Sequence, residues 1–284
     1  MSAREIDEAG DTPTRFVAVD WSGASQGSER KIVTAIASAA GELMDVVTGR
    51  TREQTVRAVV ELARQGPLVV GLDFAFSFPA AFLDRNGLED GPAAWRWARD
   101  RGEDVLRRCP TPFWGRPGTR KPALSEEQQF RRTEREAPRI GGTVPKSVLQ
   151  IGGAGAVGTG SLRGMPFLLE LQRHGFSIWP FDDPVRGRSV VLEIYPRVFT
   201  GPVVKSDRAA RAAFLSRAAL SMREEHRKLA TDSEDAFDAT VSALALAHNA
   251  GELQNLRAPR DPVLRREGAL WTPSDSEAAP RRRP

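Results

Sequence analysis

The stretch "RFVAVDWSGASQGSERKIVTAIASAAGELMDVVTG", Arg15 to Gly49, decides the fold class. "RFVAVDW" and "KIVTAIAS" are apolar, β-branched runs, and the Gly- and Ser-rich "SGASQGSER" between them suits a hairpin. "GELMDVVTG" can add a third strand. Downstream, "TREQTVRAVVELARQG" spaces Val56, Val59, Val60 and Ala63 at helical intervals and stops at Gly66 and Pro67. A fourth strand follows in "PLVVGLDFAF". Strand, strand, strand, helix, strand implies a mixed sheet with helices packed on it.

From 79 to 184 this regularity breaks into short helical pieces separated by "CPTPFWGRPGTRKP" and "GGAGAVGTG", which reads as an insertion or cap. "RSVVLEIYP" is then a buried strand, "SDRAARAAFLSRAALSMREEHRKLA" a helix or helix pair, and "TDSEDAFDATVSALALAHNA" a further helix. "REGALWTP" can form a last short edge strand. Residues 1–14 and 272–284 read as polar tails, which leaves 15–271 as a single domain.

With 284 residues and 40% apolar content, the chain can bury a sizeable core. Its only cysteine is Cys109 and its histidines are His174, His226 and His248, so a disulfide framework, a Cys-rich zinc site and a multi-histidine cage all lack sequence support. Cys109 has no histidine nearby in sequence to activate it and reads as a small buried residue. The opening lacks the basic-then-apolar order of a signal peptide, and no segment offers about 20 consecutive apolar residues. A soluble, cytoplasmic protein with no membrane contact is expected. The net charge of +4 permits a polyanionic partner.

The acids carry the chemistry. Thr231 followed by Glu234 is a capping-box pattern, and Asp235 in the same first turn gains from the helix dipole, so both have structural explanations. Asp238 lies three residues on, on the same helical face, beside an apolar stripe of Phe237, Val241 and Leu244. Glu193 sits in a run whose two faces are both apolar, and a buried carboxylate must be paired, protonated or metal-bound. Asp20 ends "FVAV" and Asp73 lies inside "LVVGLDFAF". Taken singly, Asp20 suits a turn before "SG" and Asp73 a cap near Pro79; taken together, three strands that each bring one acid into apolar surroundings favour a shared site. Converging carboxylates without Lys or His repel one another unless divalent cations neutralise them, and hard oxygen donors suit Mg²⁺ or Mn²⁺.

"VAVDWSGA", "GLDFAFSFP", "LEIYP" and "EDAFDATVSALAL", in that order, resemble the predicted nuclease family known as domain of unknown function 429, which is assigned to the ribonuclease H-like superfamily. The resemblance spans Phe16 to Trp271. It implies an α/β, ribonuclease H-like mixed five-stranded sheet flanked by helices, with a large insertion between strands 4 and 5. It also implies a metal-dependent nuclease acting on DNA or RNA, with Asp20, Asp73, Asp235 and Asp238 as ligands of Mg²⁺ or Mn²⁺. Glu193 matches the family's "EIYP" and joins the catalytic set as a further ligand or proton-handling group.

Other features are less specific. "GGAGAVGTG" ahead of a helix is either a flexible connection or a phosphate-contacting loop with Ser161 and Arg163 nearby. Trp114 lies among Arg and Lys residues in a manner that suits single-stranded nucleic acid, although a solvated helical face explains the same charges. Arg132 and Glu134 in "FRRTE", which resembles a recurring element of the family, are further candidates for contacting or orienting substrate. Two other readings stay open. Actin-like ATP-dependent phosphotransferases also open with an Asp before a Gly- and Ser-rich hairpin, and a non-catalytic binding protein can keep such a fold.

Overall fold

A computed structural model describes residues 15–217 and 220–274; the expected tail at 1–14 and most of the one at 272–284 lie outside the described residues. The decisive stretch folds as its pattern predicts. β1 (Arg15–Asp20), β2 (Val33–Ser38) and β3 (Glu42–Val47) pair antiparallel in chain order. α1 (Arg52–Ala63) starts at a capping box, in which the Gln54 N–H donates to the Thr51 hydroxyl and the Thr51 N–H to the Gln54 side chain. It leads back to β4 (Leu68–Leu72), which runs parallel to β1 on the side away from β2.

The sheet has seven strands, in the order β5-β6-β4-β1-β2-β3-β7, and not the expected five. The additions, β5 (Ser177–Ile178) and β7 (Ser221–Met222), are two residues each, too short for alternation to announce them. β6 (Val190–Glu193) lies parallel to β4 and β5. In place of a last edge strand, "REGALWTP" gives a single bridge between Leu270 and Glu193.

Alternation along the strands splits the core into two layers. Val17, Val19, Val70, Leu72 and Val191 face one side; Phe16, Ala18, Val69, Val190 and Leu192 face the other. The first side is covered by α1 together with elements of the 79–184 region. Those elements are α2 (Ala80–Arg85), α3 (Gly91–Arg108), α4 (Glu126–Gln129), α5 (Arg132–Glu136) and α6 (Gly158–Arg173). Trp95 of α3 and Met165 of α6, both fully buried, belong to the same apolar cluster as the strands. The region therefore builds one of the two helical layers instead of capping a finished fold.

After β6 come α7 (Pro196–Thr200), α8 (Arg208–Arg217), α9 (Glu224–Asp232), α10 (Glu234–His248), α11 (Ala250–Gln254) and α12 (Pro262–Glu267). The expected helix or helix pair is a pair, α8 and α9. Thr231 ends α9 and does not cap α10; the cap is Ser233, whose hydroxyl accepts from the Ala236 N–H at 3.2 Å. α10 covers the second side of the sheet with Ala236, Ala239, Ala243 and Leu246. The approach is close: a Cβ on Gly71 of β4 would stand 3.0 Å from Leu246 Cδ1 and 2.8 Å from Ile194 Cγ2. No helix among the described residues is long and apolar enough to cross a membrane.

Candidate metal centre

The register of β1 on β4 brings two acids together. Val19 pairs with Leu72, so the next residues, Asp20 and Asp73, end adjacent parallel strands side by side. The Asp73 N–H donates to the Val19 carbonyl at 3.1 Å and holds the two strand ends in line. By the period of two, Asp20 shares the face of Phe16 and Ala18, and Asp73 that of Val69. This is the side that α10 covers, and α10 carries Asp235 and Asp238 in its first two turns. Asp238 is buried at 7% exposure; Asp20, Asp73 and Asp235 keep an edge exposed.

The four carboxylates disturb one another. Burial, followed by the charges of Asp73, Asp238 and Asp235, lifts Asp20 well above the carboxylate range. Burial, then Asp238, pushes Asp73 up to about 7. Asp235 is raised by burial and by Glu234, and Asp238 by burial with Asp235 adding to it. Lys205 opposes the rise at all four. It lies in the loop between α7 and α8, and its Nζ donates to Asp238 Oδ2. The other oxygen, Asp238 Oδ1, is buried with no hydrogen-bond partner. Lys205 went unnoticed in the sequence because "PVVKSD" has no periodicity to set a loop lysine opposite a helix 33 residues on.

The acids open onto a cleft of about 630 Å³ bordered by Asp20, Trp21, Lys31, Asp73, Thr159 and Asp235. Its far wall is the glycine-rich segment ahead of α6, which meets the β1–β2 turn backbone to backbone. A Cβ on Gly23 would lie 2.6 Å from the Thr159 carbonyl carbon, so only glycine fits there. Two arginines hold the turn from behind: Arg52 donates to the carbonyls of Ser22 (2.9 Å) and Ala24, and Arg163 to that of Gly23.

Glu193 departs from the expected catalytic set. It pairs with Leu72 and shares a face with Val191, on the opposite side of the sheet from Asp20 and Asp73. There Arg131 donates to both of its oxygens, Nη1 to Oε2 at 2.7 Å and Nη2 to Oε1 at 2.5 Å, and the Phe76 N–H adds 2.9 Å to Oε2. The need to neutralise a buried carboxylate is met by an arginine one position away from the one the motif reading singled out. Arg131 is 1% exposed and its Nε also donates to Glu134 Oε1 at 2.9 Å. Burial, only partly offset by Arg131, brings Glu134 to about 7.

The other residues expected to touch substrate are already engaged. Arg132 pairs with Glu136 at 2.7 Å and with Asp261 at 2.5 Å. Ser161, fully buried, accepts from the Ala75 N–H at 3.0 Å and donates to the Val157 carbonyl at 3.1 Å, so it supports the turn after Asp73. Arg163 pairs with Glu103 at 2.7 Å in addition to holding Gly23. Trp114 is buried at 7% exposure, with Lys121 Nζ 5.3 Å from its ring centroid.

Among the described residues, no three acidic, histidine or cysteine side chains are grouped closely enough to hold one ion. The donor set nevertheless fits a hard divalent cation in type and charge: the donors are carboxylate oxygens, one buried oxygen lacks a partner, and protons are favoured where counter-charge is short. Comparison with family models, with curated proteins and with solved structures finds no match. The chemistry is therefore argued from the site alone.

Proposed function

We propose that the protein is a divalent-metal-dependent nuclease of the ribonuclease H-like kind, with Asp20, Asp73 and Asp238 holding Mg²⁺ or Mn²⁺ and Asp235 as an outer ligand. The observation that carries this reading is the meeting of acids from β1, the end of β4 and α10 at one cleft, where they repel one another and leave Asp238 Oδ1 unsatisfied. The placement of these acids agrees with the arrangement implied by the resemblance to domain of unknown function 429.

When bound, the ion supplies Lewis-acid charge and a water acidic enough to attack phosphorus near neutral pH. The chain's own residues do the rest. Asp20 and Asp73, fixed side by side by the strand register, present oxygens at the cleft floor. α10 sets Asp238 against them, and Lys205 balances part of the charge. The narrow joint between Gly23 and Thr159 walls the cleft on the side away from α10.

The test is incubation with labelled single- and double-stranded DNA, RNA and hybrids in Mn²⁺. Cleavage by the intact protein and its loss in both Asp20→Ala and Asp238→Ala, with folding retained, are expected. Equal activity in both variants would remove the assignment. A second reading, ATP-dependent phosphotransfer, is favoured by one observation: the glycine-rich segment lies in the same cleft as Asp20 and Asp73, where backbone N–H groups suit a phosphate. Calorimetry separates the two, since the nuclease predicts no specific ATP binding.

A further inference from the structure

The loop that carries Lys205 is tied on both sides. Arg197 Nη1 donates to the carbonyls of Gly201 at 3.1 Å and Val203 at 2.6 Å. Arg211, 4% exposed, donates through Nη1 to the carbonyl of Lys205 itself and through Nε to that of Thr231 at 2.9 Å, just ahead of α10. Two arginines thus fix the backbone under one lysine and key it to the helix that bears Asp238. The Lys205 side chain, 20% exposed, reaches inward over the acids.

Asp238 is divided between two tasks. Oδ2 takes the ammonium, while Oδ1 is buried without a partner. In a two-ion phosphodiesterase both ions sit about 4 Å apart and clamp the attacking and leaving oxygens, and a carboxylate that joins them offers one oxygen to each. Asp238 has that form with an ammonium already on one side. A lysine ammonium is a compact point charge that delivers its charge without a coordination shell.

We propose that Lys205 takes the place of a second divalent ion, so that the cleft works with one ion and one ammonium that share the Asp238 carboxylate. The inference rests on the metal-site reading above and specifies its stoichiometry. Lys205 then stabilises negative charge on the phosphate from the side opposite the ion. Replacing it by a neutral side chain of similar length frees Oδ2 and adds uncompensated negative charge to the cluster, which opens the second position to a metal.

Manganese bound per folded chain tests this without recourse to activity. Equilibrium dialysis with spin-resonance detection of free Mn²⁺ is run on the whole protein, above the background of an Asp20→Ala/Asp238→Ala double variant, with circular dichroism as the check on folding. One ion is expected for the unaltered chain and for Lys205→Arg, and two for Lys205→Met; Lys205→Gln gives the same count should Lys205→Met not fold. One ion in the neutral variants, or two in the unaltered chain, overturns the role of Lys205 and leaves the metal centre standing. No ion above background in the unaltered chain removes the metal centre itself, and this inference with it.

Discussion

Arg131 is the residue on which the side of the sheet opposite the four aspartates depends. It is 1% exposed, and its guanidinium spans Glu134 and Glu193, both nearly as deeply buried. Removing one member of such a set leaves an uncompensated charge in the core, which costs about 3–5 kcal/mol. Arg131→Met is therefore expected to lower the unfolding free energy by roughly that amount in urea denaturation at pH 8; a variant as stable as the parent would show that the pair contributes nothing to folding. Glu193 also marks a limit of sequence reading. Its strand is covered on both sides, so its neighbours are apolar in both directions and no alternation says which way it points. Only the pairing with β4 does, through Leu72. Asp20 and Asp73 were legible because each ends an apolar run, whereas Lys205 was not, lying in a loop without a repeating pattern.

At the level of elements, the cleft depends on the β1–β2 turn fitting against the first turn of α6. The joint is backbone on backbone at Gly23 and Thr159, and Gly160 lies beside the Trp21 ring. Even a methyl group at position 23 must push the two apart, and overpacking of this kind costs about 1–3 kcal/mol. Gly23→Ala is expected to destabilise by that amount in the same denaturation series and to abolish cleavage, because Trp21 and Asp20 sit on the displaced chain. Retention of full activity would separate the joint from the chemistry. The helices around this joint show why part of the fold was unreadable. α4 and α5 span four and five residues, too few to establish a helical period, and the packing of α3 on α6 joins pieces that the sequence displays only as fragments between Gly- and Pro-rich stretches. The β1–β4 half needed no such context, since each element there is long enough to carry its own signature.

Across the whole molecule, four acids at one cleft make stability depend on pH. Asp73 titrates near 7 in the folded chain and near its ordinary value of 3.8 when unfolded. Its folded form holds the proton more tightly, so the stabilisation is complete below about 3.8 and is lost as pH rises through about 7. Asp73→Asn cannot ionise. Without divalent ions, the variant is expected to gain on the parent as pH rises from 5 to 8, by at most about 1.4 kcal/mol per pH unit. In millimolar Mn²⁺ the order should reverse at pH 8, since binding to the folded state favours the parent. A stability difference independent of both pH and Mn²⁺ would mean that Asp73 does not feel its neighbours.

α10 forms the roof over one whole side of the sheet, yet it is made near the carboxyl end of the chain, after every strand it covers. A ribosome therefore delivers Phe16, Ala18 and Val69 long before their cover exists, and the emerging polypeptide carries a bare greasy plane for much of its synthesis. The same delay has a protective side. Until Asp238 arrives there is no assembled centre, so a half-made copy cannot cut the message from which it is being read.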